Sequence, residues 1–225
     1  MTSIYQRALG ADFDRLHPKI QERFGFSSED GTASIGSGVM ESIWHGGPFV
    51  LPFLYLGAWR RILIPEQGRN IPFTVENYAY RDSFGRETVT WVRRFEMPRP
   101  RRFDAYMIFS EQRDRIVDYL GTHQHLAVDI HVRVDERGGL RIRSGSDRFY
   151  EGMLGFRFPK LFSGIADVCE WYDDEVGQYR IEVEVTNRWF GPLFGYRGHF
   201  QNEVRPVRPH QVPADVKPHR EEIRE

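Results

Sequence analysis

Apolar and polar residues alternate along most of this chain, and the alternation is most regular between residues 71 and 109. Three runs in this region are rich in valine, threonine, tyrosine, phenylalanine and tryptophan. A turn at 82–85 and a loop rich in proline and arginine separate them. Such side chains favour extended backbone, and every second residue of a strand lies on the same face of the sheet. The pattern therefore predicts three consecutive strands of a β-meander.

Alternating segments of the same kind continue to residue 204. The clearest covers residues 125–134, where apolar residues occupy every second position from Leu126 to Val134. Long meanders expose their edges unless they curl shut. We therefore expect a mainly β (α+β) protein in which an antiparallel meander of about nine to ten strands forms a closed or strongly curved barrel.

Two helical segments are predicted beside the strands. Ser3 is a suitable N-cap for an apolar stripe with helical spacing over residues 4–24, which Gly10 and Pro18 are expected to divide. Residues 48–61 carry more apolar bulk than a surface loop requires. We interpret them as a short apolar helix that plugs the barrel. The alternatives are a lid over a ligand cavity and a surface that touches a membrane or a partner.

The barrel-like domain is predicted to cover residues 1–204 as one unit. Residues 205–225 contain four prolines among charged residues, so we expect a C-terminal arm that lies along the surface or stays loose. The hydrophobic share of 40%, with 14% aromatic residues, supports a real core rather than disorder.

Charge and cysteine content narrow the expected partners and compartment. With 31 basic and 32 acidic residues the formal net charge is −1, which gives no support for nucleic-acid binding. The single cysteine, Cys169, excludes an intramolecular disulfide and suits a reducing compartment. The N-terminus lacks a signal-peptide pattern, and the longest apolar run is too short to span a bilayer. We expect a cytoplasmic protein without a transmembrane segment.

Seven short motifs occur in a fixed order over roughly residues 4–204. They lie at residues 9–18, 36–38, 72–75, 91–95, 138–140, 166–170 and 191–198. The series resembles a bacterial domain family of unknown function, a DUF4166-like domain. Members of that family occur alone, joined to saccharopine-dehydrogenase-like oxidoreductases, and in multi-spanning membrane proteins. The resemblance implies an oxidoreductase as a candidate partner, but it brings no established activity and no catalytic residues.

Arg93 is the residue that breaks the apolar pattern of its strand. It shares strand parity with Val89, Trp91 and Phe95, so an interior face would hold a cation among aromatic rings. Such an arginine would bind a carboxylate or the polar end of an apolar ligand. The alternatives are an ion pair with an interior acid, such as Glu170 or Asp104, and a register shift that places Arg94 inside. The candidate ligand-binding residues are Arg93, Trp91, Phe95, Met107, Trp59, Phe53 and Tyr196.

Glu170 is the best interior candidate for acid–base chemistry, because it shares a face with Ala166 and Val168. Burial raises the pKa of a carboxyl group and would let it transfer protons, whereas a hydrogen-bonded structural carboxylate is the alternative. The candidate catalytic residues are Glu170, His199 and His45. His123, His125 and His131 lie on a polar strand face, which indicates a solvated surface more than a metal site. We expect neither a metal nor a cofactor.

Three functions follow from these observations. The first is a soluble binding domain that holds an apolar or lipid-like small molecule in a barrel cavity, with residues 48–61 as a cap and Arg93 at its polar end. The second is a cofactor-independent enzyme, an isomerase, cyclase or hydrolase, that acts on a hydrophobic molecule in the same cavity. The third is a protein-interaction domain that uses the apolar segment.

Overall fold

The computed structural model describes residues 2–151, 154–157 and 164–225. Short helices occupy the first part of the chain and precede the second strand. They are α1 (Ile4–Leu9), a 3-10 turn (Gly10–Arg15), α2 (Pro18–Phe24) and α3 (Leu51–Trp59). The strands are β1 (Thr32–His45), β2 (Ile71–Arg81), β3 (Glu87–Phe95), β4 (Arg101–Ser110), β5 (Arg115–Leu120), β6 (Leu126–Val134), β7 (Leu140–Glu151), β8 (Leu154–Arg157), β9 (Ile165–Asp173), β10 (Gln178–Asn187) and β11 (Gly191–Pro206).

The strands form one antiparallel sheet that closes on itself. Its order is β6-β5-β4-β3-β2-β1-β11-β10-β9-β7-β8, and an additional pairing joins β6 to β7. Leu140 of β7 lies opposite Glu170 on one side and opposite Val134 on the other, which completes the ring. In the described part of the chain, ten strands form the closed barrel and β8 extends β7. The prediction of an antiparallel meander of about nine to ten strands in a closed or strongly curved barrel is confirmed, and the barrel is the closed form.

Because neighbouring strands alternate in direction, the connections collect at two ends of the barrel. The N-helix end carries α1 and α2 with the turns at 82–86, 111–114, 135–139 and 174–177. The α3 end carries α3 with the connections at 96–100, 121–125 and 188–190. The His17 amide donates to the Gly138 carbonyl at 2.8 Å at the N-helix end. At the α3 end, the Thr122 amide donates to the Arg60 carbonyl at 3.1 Å.

The helices of the N-helix end fill much of the interior. A capping box at Ser3 starts α1, and Gly10 ends it with a positive φ of 55°, a conformation that favours glycine. Pro18 occupies the first turn of α2, where its missing amide hydrogen costs no hydrogen bond. The apolar stripe is buried, and its core members are Ile4, Phe13, Leu16, Ile20 and Phe24.

The C-terminal residues cover the outer face of strands β2 to β6. Val212 and Val216 are buried against Tyr80 and Val92, which point away from the barrel interior. The Tyr119 hydroxyl donates to the Arg224 carbonyl at 3.0 Å further along. This cover explains why β3 is buried on both faces, although a barrel wall normally has one apolar face.

Among the described residues, no helix is long and apolar enough to cross a membrane.

Candidate functional site

In the described part of the chain, four charged side chains lie in the body of the barrel, between its two ends, each with less than a tenth of its surface exposed. They are Arg23 from α2, Arg93 from β3, Asp118 from β5 and Glu170 from β9. The three strand residues occupy positions that alternate with outward-facing ones, so the pleat of the sheet directs them inward. Buried charges are costly unless they are paired and hydrogen-bonded. The contacts of these four groups therefore separate structural roles from functional ones.

Arg23 forms a nearly complete set of contacts near the N-helix end. Its Nε donates to Glu170, and its Nη1 donates to Ser34 Oγ at 2.6 Å and to Asn202 Oδ1 at 2.8 Å. Its Nη2 donates to Asn77 Oδ1 at 3.2 Å. Burial raises the pKa of Glu170, and the neighbouring Arg23 opposes this rise. The contacts of Arg23 join α2 to four strands of the wall, β1, β2, β9 and β11, which is a structural role.

Arg93 lies nearer the α3 end and has fewer partners. Its Nη1 donates to the Tyr196 hydroxyl at 3.0 Å, and its guanidinium carbon lies 3.9 Å from the centre of the Phe103 ring. The Trp91 ring lies 5.4 Å away on the same strand face. The Nε atom of Arg93 is buried without a hydrogen-bond partner among the described residues. The aromatic contacts orient the guanidinium but leave part of its donor capacity unused.

Asp118 is the acidic neighbour of Arg93. Burial raises the pKa of its carboxyl group to about 7, while the charge of Arg93 and the Tyr106 backbone amide act in the opposite direction. Its Oδ1 atom has no hydrogen-bond partner among the described residues. A carboxyl group with this pKa exists in both protonation states near neutral pH, so it can accept or donate a proton.

Two further unpaired atoms belong to the Arg23 network. Asn77 Nδ2 and Glu170 Oε2 are buried without hydrogen-bond partners in the described part of the chain. Leaving a buried donor or acceptor unpaired costs about 1–3 kcal/mol for each group. Together with Arg93 Nε and Asp118 Oδ1, they provide two donors and two acceptors that a polar group inside the barrel can satisfy.

The candidate catalytic and ligand-binding residues predicted from the sequence fall into two sets, one inside the barrel and one outside it. Those in the interior are Glu170, Arg93, Trp91, Phe95, Met107 and Tyr196. His199 lies on the outer face between inward-pointing Gly198 and Phe200, with its Nδ1 3.1 Å from Glu41 Oε1. His45 lies at the end of β1, with its Nδ1 2.7 Å from the Gly46 carbonyl oxygen. The catalytic candidates are therefore not brought together.

Phe53 and Trp59 are also separated from the interior. Both lie on α3, where Phe53 is 53% exposed and Trp59 is 71% exposed. The residues through which this segment contacts the core are Val50 and Leu54. The aromatic side chains of α3 therefore point away from Arg93 and Asp118 and do not line their surroundings.

Sequence reasoning missed Asp118 and Arg23. Asp118 shares strand parity with Ile116 and Leu120, so the argument that identified Arg93 would have found it as well. Arg23 offered no such signal, because a polar residue beside Phe24 on a short helix usually faces solvent. Arg94, the alternative to Arg93, lies on the outer face, where it contacts Glu76 and Asp215.

Fold and interior together define a class of protein: a closed antiparallel barrel, filled from one end by helices, with charged groups buried among aromatic rings. The chain belongs to the family described as "Domain of unknown function (DUF4166)", which matches residues 16–200. It is 34% identical over 207 residues to the "Uncharacterized protein YndH" of Bacillus subtilis (strain 168), an alignment that covers 91% of this chain and 99% of that protein. The matched range contains all four interior charges, and the family resemblance seen in the sequence is confirmed.

Proposed function

We propose that the barrel binds a small molecule with an apolar body and a polar end, held beneath α3. The observation that carries this proposal is the pair of unsatisfied groups, Arg93 Nε and Asp118 Oδ1, in an interior that is otherwise mainly aromatic and aliphatic. A fold gains nothing from keeping such groups unpaired, since each lowers stability. Groups of this kind are retained where a ligand or a reaction uses them.

The apolar surroundings would supply most of the affinity. The half of the interior near the α3 end is rich in aromatic side chains, and burial of apolar surface contributes roughly 25 cal/mol per Å². Arg93 would supply orientation, because the Tyr196 hydroxyl and the Phe103 ring already restrict its guanidinium. The aromatic residues concerned are Phe73, Phe95, Phe103, Phe194 and Tyr196.

The α3 end supports entry better than the opposite end does. Only two side chains of the segment from Pro48 to Trp59, Val50 and Leu54, are fully buried. The N-helix end is closed by two helices whose apolar stripe and Arg23 are both anchored in the interior. Displacing α3 would therefore break far fewer contacts, which is the behaviour expected of a lid.

A second candidate function is proton transfer on the same bound molecule, favoured by the carboxyl group of Asp118 with its pKa near 7 beside a cation. Asp118 would remove a proton next to an electron-withdrawing group and return it to another atom of the substrate, an isomerisation without a cofactor. Arg93 would stabilise the negative charge of the intermediate. In that case Asp118→Asn would keep binding and lose turnover.

Native mass spectrometry of the protein purified from its own host, followed by denaturing extraction, tests the binding function. We expect an apolar molecule with a polar end to copurify, and Arg93→Met to lower its occupancy. Arg94→Met is the matched control, since the neighbouring arginine faces outward and should leave the occupancy unchanged.

Two results would contradict this function. One is protein without a bound molecule in independent preparations that also fails to bind a dansyl-labelled fatty acid. The other is undiminished occupancy in Arg93→Met, which would remove the assigned role of Arg93 even if a ligand were present.

A further inference from the structure

Exposed apolar side chains are concentrated at the α3 end of the barrel. On α3 itself, Phe53, Tyr55, Leu56 and Trp59 are 52–71% exposed. The turn between β10 and β11 adds Trp189 at 56% and Phe190 at 45%. A helix that is apolar on all sides is normally buried, and contiguous apolar patches of this kind mark interaction surfaces.

The two segments form one surface. The Phe49 ring, at the start of the α3 segment, lies 5.7 Å from the ring of Phe190 in the β10–β11 turn. The segment from Leu51 to Trp59 contains no charged residue. We call α3 together with residues 188–190 the aromatic end surface.

Basic residues border the aromatic end surface. Arg60, Arg69, Arg99 and Arg188 lie in the connections of the α3 end, and among the described residues none has a carboxylate within 4.0 Å. Arg60 instead lies over the Trp59 ring at 4.2 Å. Glu66, an acid of this end, is already paired with Arg101. Glu151 at the end of β7 is likewise paired, with His125 and Arg220, so in the described part of this end arginines outnumber unpaired acids such as exposed Glu96.

The opposite end carries the reverse charge. Exposed carboxylates occupy its helices and turns, namely Asp14, Glu29, Asp114, Asp174 and Glu175. The formal net charge of the whole chain is −1, but the two ends of the barrel carry charge of opposite sign. Such a charge distribution orients a protein towards an anionic surface before any contact forms.

We propose that the aromatic end surface docks on an anionic phospholipid bilayer. Tryptophan, tyrosine and phenylalanine favour the interface between headgroups and acyl chains, and arginines at the border reach the phosphates. The α3 helix is roughly 14 Å long, about half the hydrocarbon thickness, so it is too short to span the bilayer and would lie on its side in one leaflet. The barrel then stands with its N-helix end in the water.

Charge complementarity favours a membrane over a second copy of this chain. A symmetric dimer through this surface would bring the bordering arginines of one copy towards those of the other. Unpaired arginines facing each other across an interface disfavour association. Anionic headgroups neutralise them instead, each basic residue adding to the binding. The proposed contact with the bilayer involves exposed residues only, so it does not depend on the ligand proposed for the barrel interior.

Vesicle flotation with the full chain tests the docking. We expect the protein to float with phosphatidylcholine vesicles that contain about 30% phosphatidylglycerol, and to float far less with phosphatidylcholine alone or at high salt. Trp59→Ser combined with Trp189→Ser should lower the partition coefficient at least about tenfold. Arg60→Glu combined with Arg188→Glu should remove the preference for anionic vesicles.

Matched controls lie at the other end of the barrel. Phe84→Ser changes an aromatic residue that is 44% exposed, and Arg15→Glu changes an exposed cation, so both should float like the wild type. Thermal unfolding by circular dichroism shows that each variant is folded. Unchanged flotation of the double tryptophan variant would overturn the proposal. A wild-type protein that does not float with anionic vesicles would also overturn it. This holds whether that protein is a monomer or a dimer that the tryptophan and arginine substitutions dissociate.

Discussion

The two interior arginines lie in halves of the barrel that are stabilised in different ways. Arg23, near the N-helix end, has hydrogen-bond acceptors at Nε, Nη1 and Nη2, and its carboxylate partner Glu170 is buried inside the barrel. Arg93, nearer the α3 end, has one hydrogen-bond acceptor among the described residues and an acidic neighbour that titrates near neutral pH. The two buried arginines therefore differ in pairing: Arg23 contacts a carboxylate directly, whereas Arg93 has no carboxylate within 4.0 Å among the described residues and keeps its Nε available for a ligand.

The largest expected effect concerns the Arg23–Glu170 ion pair. Glu170→Gln leaves the Arg23 charge buried without its partner, so we expect a loss of about 3–5 kcal/mol in the free energy of unfolding. Urea denaturation measures it. Arg93→Met should cost much less, because Asp118 can become neutral by binding a proton. If Glu170→Gln and Arg93→Met lowered the free energy of unfolding equally, the two arginines would not differ in their contribution to stability.

The second prediction uses the pKa of Asp118. The carboxyl group has a pKa of about 7 in the folded protein and 3.8 as an ordinary aspartate, so the folded state holds the proton more tightly. The stabilisation that comes from this tighter proton binding is fully present when the pH is below the pKa of Asp118 in the unfolded chain. It is lost as the pH rises from about 4 to 7, and the free energy of unfolding falls by an amount on the order of 4 kcal/mol.

Asp118→Asn removes this titration. Its unfolding free energy should therefore fall less than that of the wild type over the same range, and it should be the more stable protein at about pH 8. Denaturant titrations at several pH values measure both proteins. Parallel profiles would show that Asp118 does not retain its proton in the fold.

The third prediction compares the helices at the two ends. Since α3 is held by Leu54 and the preceding Val50, its amides should exchange with solvent at least about tenfold faster than those of α1 and α2. Hydrogen exchange measured by mass spectrometry resolves the two segments. Equal protection would contradict entry through the α3 end, and a bound ligand should slow exchange at α3 first.

The smallest effects are expected outside the barrel. His45 and His199 lie away from the interior charges, and the contact of His199 with Glu41 is partly exposed. Replacing either histidine by alanine should change the unfolding free energy by roughly 0.5 kcal/mol and leave copurified ligand unchanged. Lost ligand in the His199 variant would move the site to the outer face and revive the prediction of a catalytic histidine.

Most residues of the candidate site can be found from the alternation of side chains along the strands alone. The rule that places alternate residues on one face grouped Arg93 with Trp91 and Phe95, and the same rule groups Asp118 with the apolar residues of β5. For α3 the argument was one of apolar composition, which suggested contact with a ligand, whereas Phe53 and Trp59 are exposed in the structure. Composition describes how apolar a segment is, whereas exposure depends on what other parts of the chain cover it.

The sequence by itself determined the strands, their faces and the family, because period-two patterns and short motifs are local properties of the chain. Tertiary structure decided that β7 closes the barrel between β6 and β9, and that Arg23 meets Glu170 across 147 positions. It also decided that Arg93 keeps a donor without a partner in the part of the chain that the structure describes. These features depend on which distant segments meet, and a closed sheet fixes those meetings through the register of all its strands together.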